Sequence, residues 1–283
     1  MNSNKLTFES GLVFAQPGSV TLRYEHPMVL CIPDAWASAH SYALWQRELS
    51  RHHFSSIAMS FEHHRRKTLQ SYLEDVERQT TAIVNRTKQP ITLMGHGVGA
   101  ALAYWVASRH PILVESVVMV NVVPFGVAEI SKAMSKASAF WFRHLPEILS
   151  GICFKPSDKE LAKYFFSQAG REWKKQINHQ PSRFSGRALA HLARGLNVAE
   201  CKKPVLAVIG RQDRFMPEAD QMAFVQRMVP LSPHSLNKEV RVQGDHMSLL
   251  LDEEDYLVIK PIIGWLRNSS GRYNYFFRSA AAR

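Results

Sequence analysis

The sequence predicts an α/β fold with a mainly parallel sheet covered by helices on both faces. Three observations lead there: short β-branched segments alternate with longer segments of helical periodicity, the chain has 283 residues, and 46% of them are apolar against 21% charged. Alternation of this kind sets consecutive strands parallel, because each intervening helix carries the chain back to the end of the sheet from which the previous strand started. The length suits one such domain over residues 1–283 with an inserted segment. Ligands of a sheet like this gather outside the carboxyl ends of its strands.

Strands are expected at Leu22–Tyr24, Met28–Ile32, Ser56–Met59, Ile91–Met94, Val117–Val120, Val205–Ile209 and Val240–Val242, each short, rich in β-branched residues and bounded by Pro, Gly or Asn. Helical spacing of apolar residues predicts helices at Ser41–Leu49, Leu69–Val84, Val98–Ser108, Ala219–Met228 and Tyr256–Leu266.

From Pro124 to about Lys203 the rhythm breaks. Aromatic helical stretches such as Phe140-Trp141-Phe142 and Tyr164-Phe165-Phe166 occur without a convincing strand, which reads as a helical cap whose aromatics form its own core or line an apolar pocket. His52-His53 and His63-His64-Arg65-Arg66-Lys67 read as solvated basic loops, since no carboxylate or His-x3-His spacing accompanies them. The basic tail at about 267–283, with four Arg and no acid after Trp265 and aromatics interleaved, reads as a packed or fraying end, the alternative being a segment that docks on an anionic surface.

The net charge of +11 makes the surface field positive, yet no motif points to nucleic acid or membrane. Cys31, Cys153 and Cys201 are odd in number and far apart, so neither a disulfide framework nor a thiolate zinc site fits, and a cytoplasmic setting is expected. No signal pattern or long apolar run occurs. Phosphate loops, Gly-x-Gly-x-x-Gly fingerprints and zinc-finger spacings are missing too, so no cofactor or metal is implied.

The informative stretch is Ile91-Thr92-Leu93-Met94-Gly95-His96-Gly97-Val98-Gly99-Ala100, an apolar strand turning abruptly into a small-residue helix. It has the form of a nucleophile elbow, in which flanking glycines permit a sharp strand-to-helix turn that lifts the central residue above the strand end. Here the central residue is Gly97, which has no side chain to attack with. Downstream, the strand Val205–Ile209 is followed by Gly210-Arg211-Gln212-Asp213, and Val240–Val242 by Gln243-Gly244-Asp245-His246. Their order after the elbow makes Asp213 the candidate acid and His246 the candidate base of a triad.

On these residues the chain resembles the α/β-hydrolase superfamily from about Leu22 to Leu266, with the cap inserted after the strand ending near Val120. The superfamily's usual His-Gly at the end of its third strand is replaced by Ile32-Pro33-Asp34-Ala35-Trp36. The resemblance implies an oxyanion hole from the backbone N–H of Val98 and one from this loop, Asp34 or Ala35, because Pro33 has no N–H. An Asp side chain at that entrance would repel an anionic substrate.

Without a hydroxyl at position 97, acyl transfer through a serine is excluded. Ser248 and Cys31 lie off the elbow and read as a helix-start hydroxyl and a buried strand thiol. One reading is then a hydrolase, or lyase-like enzyme, acting on a small labile acyl or carbonyl substrate, with a water in the space above Gly97 activated by His246 and Asp213. The aminoacrylate hydrolase branch, similar in its general motifs, also carries a small residue at the elbow. The alternative is a non-catalytic pseudo-hydrolase that binds a ligand or signals; Gly97-Val98-Gly99 is similar to the Gly-Val-Gly of the N-myc downstream-regulated family. Either reading has a small molecule as the partner, in a pocket under the cap.

Overall fold

A computed structural model of the chain describes residues 6–9, 12–15, 27–62, 67–125, 137–166, 182–195, 198–229, 236–251 and 258–269. Among the described residues the main sheet has eight strands: β1 (Leu6–Glu9), β2 (Leu12–Ala15), β3 (Val29–Ile32), β4 (Ser56–Met59), β5 (Ile91–His96), β6 (Val114–Val120), β9 (Val205–Gly210) and β10 (Lys238–Val242). Their spatial order is β1-β2-β4-β3-β5-β6-β9-β10. The six strands from β4 to β10 run parallel, and β1 and β2 add an antiparallel edge. The chain therefore reverses direction across the sheet between β3 and β5, and this switch point is where ligands of open parallel sheets bind.

Burial explains the strand patterns. Strands β3, β4, β5, β6 and β9 are buried at every position, so they read as continuous apolar runs, whereas the edge strand β10 (Lys-Glu-Val-Arg-Val) is half-buried or exposed at every position. Helices α1 (Ala43–Arg51), α2 (Leu69–Thr87), α3 (Val98–Arg109), α6 (Glu218–Met228) and α7 (258–269) belong to this layer. Thr68 starts α2 by accepting the Ser71 N–H on its hydroxyl at 3.1 Å, and Leu69, Tyr72, Leu73, Val76, Thr80 and Ile83 face inward at helical spacing. Helix α3 is almost entirely buried, which its run of Val, Gly, Ala and Leu allows.

Between β6 and β9 lie α4 (Ser138–Ser150), the short strands β7 (Cys153–Phe154) and β8 (Phe184–Ser185), and α5 (Gly186–Arg194). The small β7–β8 ladder was not expected in this interval; two-residue strands carry no periodicity to read. The expected strand Leu22–Tyr24, the cluster His63–Arg66 and the tail beyond 269 lie outside the described residues. The three cysteines are buried and form no disulfide among the described residues. Among the described residues no helix is long and apolar enough to cross a membrane.

Candidate active site

The site is assembled at the carboxyl ends of β3, β5, β6, β9 and β10, where close packing of small residues brings five loops together. At the elbow Gly97 adopts φ 56°, ψ −119°, its N–H donates to the Val120 carbonyl at 2.9 Å, and its carbonyl accepts from Val123 N–H at 3.1 Å. A side chain at Gly99 would overlap the Ile32 and Pro33 carbonyls. The glycine therefore lets the loop after β3 lie directly against the start of α3.

That approach places Asp34 in the position where the sequence led us to expect a water. A Cβ added at Gly97 would overlap Asp34 Oδ1, Cγ and Cβ, so the space left by the missing side chain is filled by a carboxylate from the neighbouring loop. This corrects the expectation of a water there. Oδ1 of Asp34 accepts the Val98 N–H at 2.7 Å, and Oδ2 lies 3.1 Å from His246 Nε2. The carboxylate thus sits at the N-terminus of the twelve-residue helix α3, where the helix dipole and an unsatisfied N–H favour an anion. The oxyanion donor expected at Val98 is engaged by this carboxylate. What Asp34 brings to the site is its side chain, and Ala35 is buried beside it.

His246 and Asp213 meet as their chain order suggests. His246 Nδ1 lies 2.7 Å from Asp213 Oδ2, and both residues are buried. Asp213 is fixed in turn: Oδ1 accepts from Phe215 N–H at 2.9 Å and Met216 N–H at 2.7 Å, and Oδ2 from Gln221 Nε2 at 3.1 Å. Behind the imidazole, the His246 carbonyl lies 2.7 Å from His96 Nε2 and 3.0 Å from Asn121 Nδ2. Asn121 also donates to the Asp245 carbonyl and accepts the Gly210 N–H at 2.7 Å, so one amide ties the ends of β6, β9 and the base loop together.

Two carboxylates flank one imidazole, and this decides the charge state. Burial disfavours the imidazolium, but Asp213 and then Asp34 outweigh it, and the His246 pKa is pushed up to about 10. For Asp34, burial works against ionisation, yet the bond and charge of His246, with help from Val98 N–H, hold its carboxyl below the usual range. His96 goes the other way: burial and the adjacent His246 push it down to about 4, so it stays neutral.

Aromatic rings close the site. Phe215 lies 5.1 Å from the His246 ring and Phe165, from the segment between β6 and β9, lies 5.4 Å from it. Trp36 contacts Phe140, Phe165 and Phe215 edge-on at 5.5–5.9 Å. His246 is 0% and Asp34 2% exposed. Among the expected aromatics, Phe140, Trp141 and Phe165 are buried, whereas Phe142 points outward.

Ser248 Oγ accepts the Asp245 N–H at 2.9 Å while Asp245 Oδ1 accepts from Ser248 N–H, a reciprocal turn, and burial pushes the Cys31 thiol up. Neither is prepared to attack. Ligand atoms of Asp34, His96 and His246 come within 4.8 Å of one another, but His246 engages both ring nitrogens with carboxylates and His96 Nε2 engages a carbonyl. Hydrogen bonds therefore account for the cluster without an ion. Sequence reasoning placed Asp34 at the site as a backbone donor but missed that its carboxylate fills the space above Gly97, and it missed the anchors His96 and Asn121. The readable signal was the pairing of two departures, an acid after β3 and a glycine at the elbow.

An elbow, an acid and a base at the ends of parallel strands define an α/β-hydrolase. The chain matches the alpha/beta hydrolase family over residues 29–258, and it belongs to that family. It is similar in structure to the monoacylglycerol lipase of Paleococcus ferrophilus (TM-score 0.63, 16% identity, 87% of this chain and 96% of that one). A soluble variant of the monoglyceride lipase from Saccharomyces cerevisiae is similar as well (TM-score 0.65, 15% identity, 95% and 96%). So is an E-2-(acetamidomethylene)succinate hydrolase (TM-score 0.56, 19% identity, 90% and 94%). At these identities the likeness concerns the fold. No curated protein sequence matches the chain significantly.

Proposed function

We propose that the protein is a hydrolase in which the Asp34 carboxylate takes the place of the missing serine. The observation that carries this reading is the position of that carboxylate: it fills the space above Gly97, with Oδ1 held by Val98 N–H and Oδ2 beside His246 Nε2. A carboxylate nucleophile suits an apolar substrate with an electrophilic carbon and an oxygen leaving group, an epoxide being the simplest.

The steps balance as follows. Oδ2 of Asp34 bonds to the substrate carbon as the carbon–oxygen bond breaks, and the departing oxygen takes the proton of the His246 imidazolium. Asp34 is now a neutral ester, so His246 has lost its proton and one of its two carboxylate neighbours and can act as a base. A water then gives a proton to His246 Nε2 and attacks Cγ of Asp34, with Val98 N–H holding Oδ1 as charge builds on it. Cleavage of the Cγ–Oδ2 bond of the tetrahedral intermediate, with the proton of the newly added hydroxyl passing to the leaving alkoxide, releases the alcohol and restores the Asp34 carboxylate beside the His246 imidazolium. Asp213 keeps the ring oriented throughout.

One turnover of an aryl epoxide in ¹⁸O-water tests this. The label is expected first in the peptide containing Asp34, and Asp34→Ala is expected to abolish turnover. Label in the product alone, or turnover that survives Asp34→Ala, would overturn the reading.

A second reading is a ligand-binding pseudo-hydrolase. It is favoured by the fact that Asp34 already engages both Val98 N–H and His246 Nε2, with Asp213 on His246 Nδ1, within a buried, aromatic-covered cluster. Absence of turnover across epoxides and activated esters, with saturable ligand binding, would select it.

A further inference from the structure

Helix α4 is apolar on two sides, and among the described residues only one of them is packed inside the protein. Phe140, Trp141 and His144 are buried, whereas Phe142, Pro146 and Leu149, at i, i+4 and i+7, form an exposed stripe with the half-buried Leu145 beside them. Phe142 is 74% and Leu149 77% exposed, and Ile152, just past the helix, is 50% exposed. Scattered apolar residues on a surface need no explanation, but bulky ones aligned along one helix do.

The surroundings of the stripe are basic. A cleft of about 290 Å³ between the end of α4 and α5 is lined by Ile148, Leu149, Arg187, His191 and Arg194 among others. Arg187 and Arg194 form no ion pair with a described residue, and burial together with these two guanidiniums holds His191 below its usual range. Lys155, just beyond Ile152, is exposed as well. The patch thus combines protruding apolar side chains with unpaired positive charge in a chain whose net charge is +11.

We propose that this face docks on an anionic lipid bilayer, with Phe142, Leu149 and Ile152 entering the acyl boundary while Arg187 and Arg194 meet lipid phosphates. Charge complementarity selects this occupant: apolar side chains flanked by cations match a surface that presents hydrocarbon beneath a layer of negative headgroups. The proposal is independent of the chemistry at Asp34.

Co-sedimentation of the full chain with vesicles of phosphatidylcholine alone, or mixed with phosphatidylglycerol, tests it. Binding is expected to the mixed vesicles, weakened by salt and much lower to the neutral ones. The pair Phe142→Ser and Leu149→Ser removes exposed side chains, so the melting temperature should hold while partitioning falls about tenfold or more. Arg187→Gln and Arg194→Gln should each lower it about fivefold. Equal binding to both vesicle types, or no binding to either, overturns the proposal. So does binding that the serine pair leaves unchanged and that soluble heparin competes away fully, since the face would then recognise an acidic macromolecule through charge alone.

Discussion

Asp34 and Gly97 share one volume: the carboxylate of the first occupies the place where any side chain on the second would begin. The two residues are therefore coupled. A change at either one alone disturbs a packed, charged cluster, whereas a matched pair of changes exchanges one arrangement for another.

Gly97→Ser alone should be destabilising by about 1–3 kcal/mol, because the new side chain overlaps Asp34 and must accept φ 56°. The double variant Asp34→Ala with Gly97→Ser removes the overlap and frees Val98 N–H. It should melt higher than Gly97→Ser and gain hydrolysis of activated esters that the single variant lacks. Denaturation curves and an ester assay on the three proteins check both parts.

His246 should remain an imidazolium to about pH 10, and Asp34→Asn, which removes one flanking charge, should lower that value. Imidazole resonances followed through a pH titration report it directly. The stability consequence has a definite sign. The folded protein keeps a proton that the unfolded chain releases near 6.5, so this contribution is complete below that pH and is lost as pH rises through about 10.

Glu115 on β6 gives a second, separate window. Burial pushes its pKa up to about 7 against the pull of Lys203, so the folded state holds the neutral acid. Stability from this source is present below the ordinary value of 4.5 and is lost as pH rises through about 7. Glu115→Gln should remove that loss and be more stable than the parent by on the order of 1–3 kcal/mol at about pH 8. Urea midpoints of both proteins across this range would show parallel curves if the window did not exist.

Asn121 holds the base loop from below, with φ 43° and three bonds, one to the end of β9 and two to the loop after β10. Asn121→Ala should cost about 2–4 kcal/mol, since it leaves Gly210 N–H and two buried carbonyls short of partners. Asn121→Gly suits the backbone conformation but loses the same bonds, so it should also be destabilised. A fully stable glycine variant would mean that the bonds contribute little. A His246 titration in either variant reads whether the imidazole has moved away from Asp213.

The parallel core was legible because buried strands and helices write themselves as composition. Ile91-Thr92-Leu93-Met94 and Val205-Leu206-Ala207-Val208-Ile209 had one reading, and the structure extends each by one or two residues to His96 and Gly210. Asp213 and His246 were legible as an ordered pair after two strands. The two-residue strands β7 and β8 were not, because so short a segment carries no pattern.

By itself the sequence determined the α/β class, the strand-to-helix corner and the absence of an attacking hydroxyl at position 97, since each is a property of residues adjacent in the chain. Only the tertiary structure decided what stands above that corner. Asp34 and Gly97 are far apart in sequence, and nothing local in either reveals that the loop after β3 descends onto Gly99 closely enough to place a carboxylate between Val98 N–H and His246. Contact between loops from different strands depends on how the sheet is ordered and how closely small residues let backbones approach, and that is settled only when the whole layer packs.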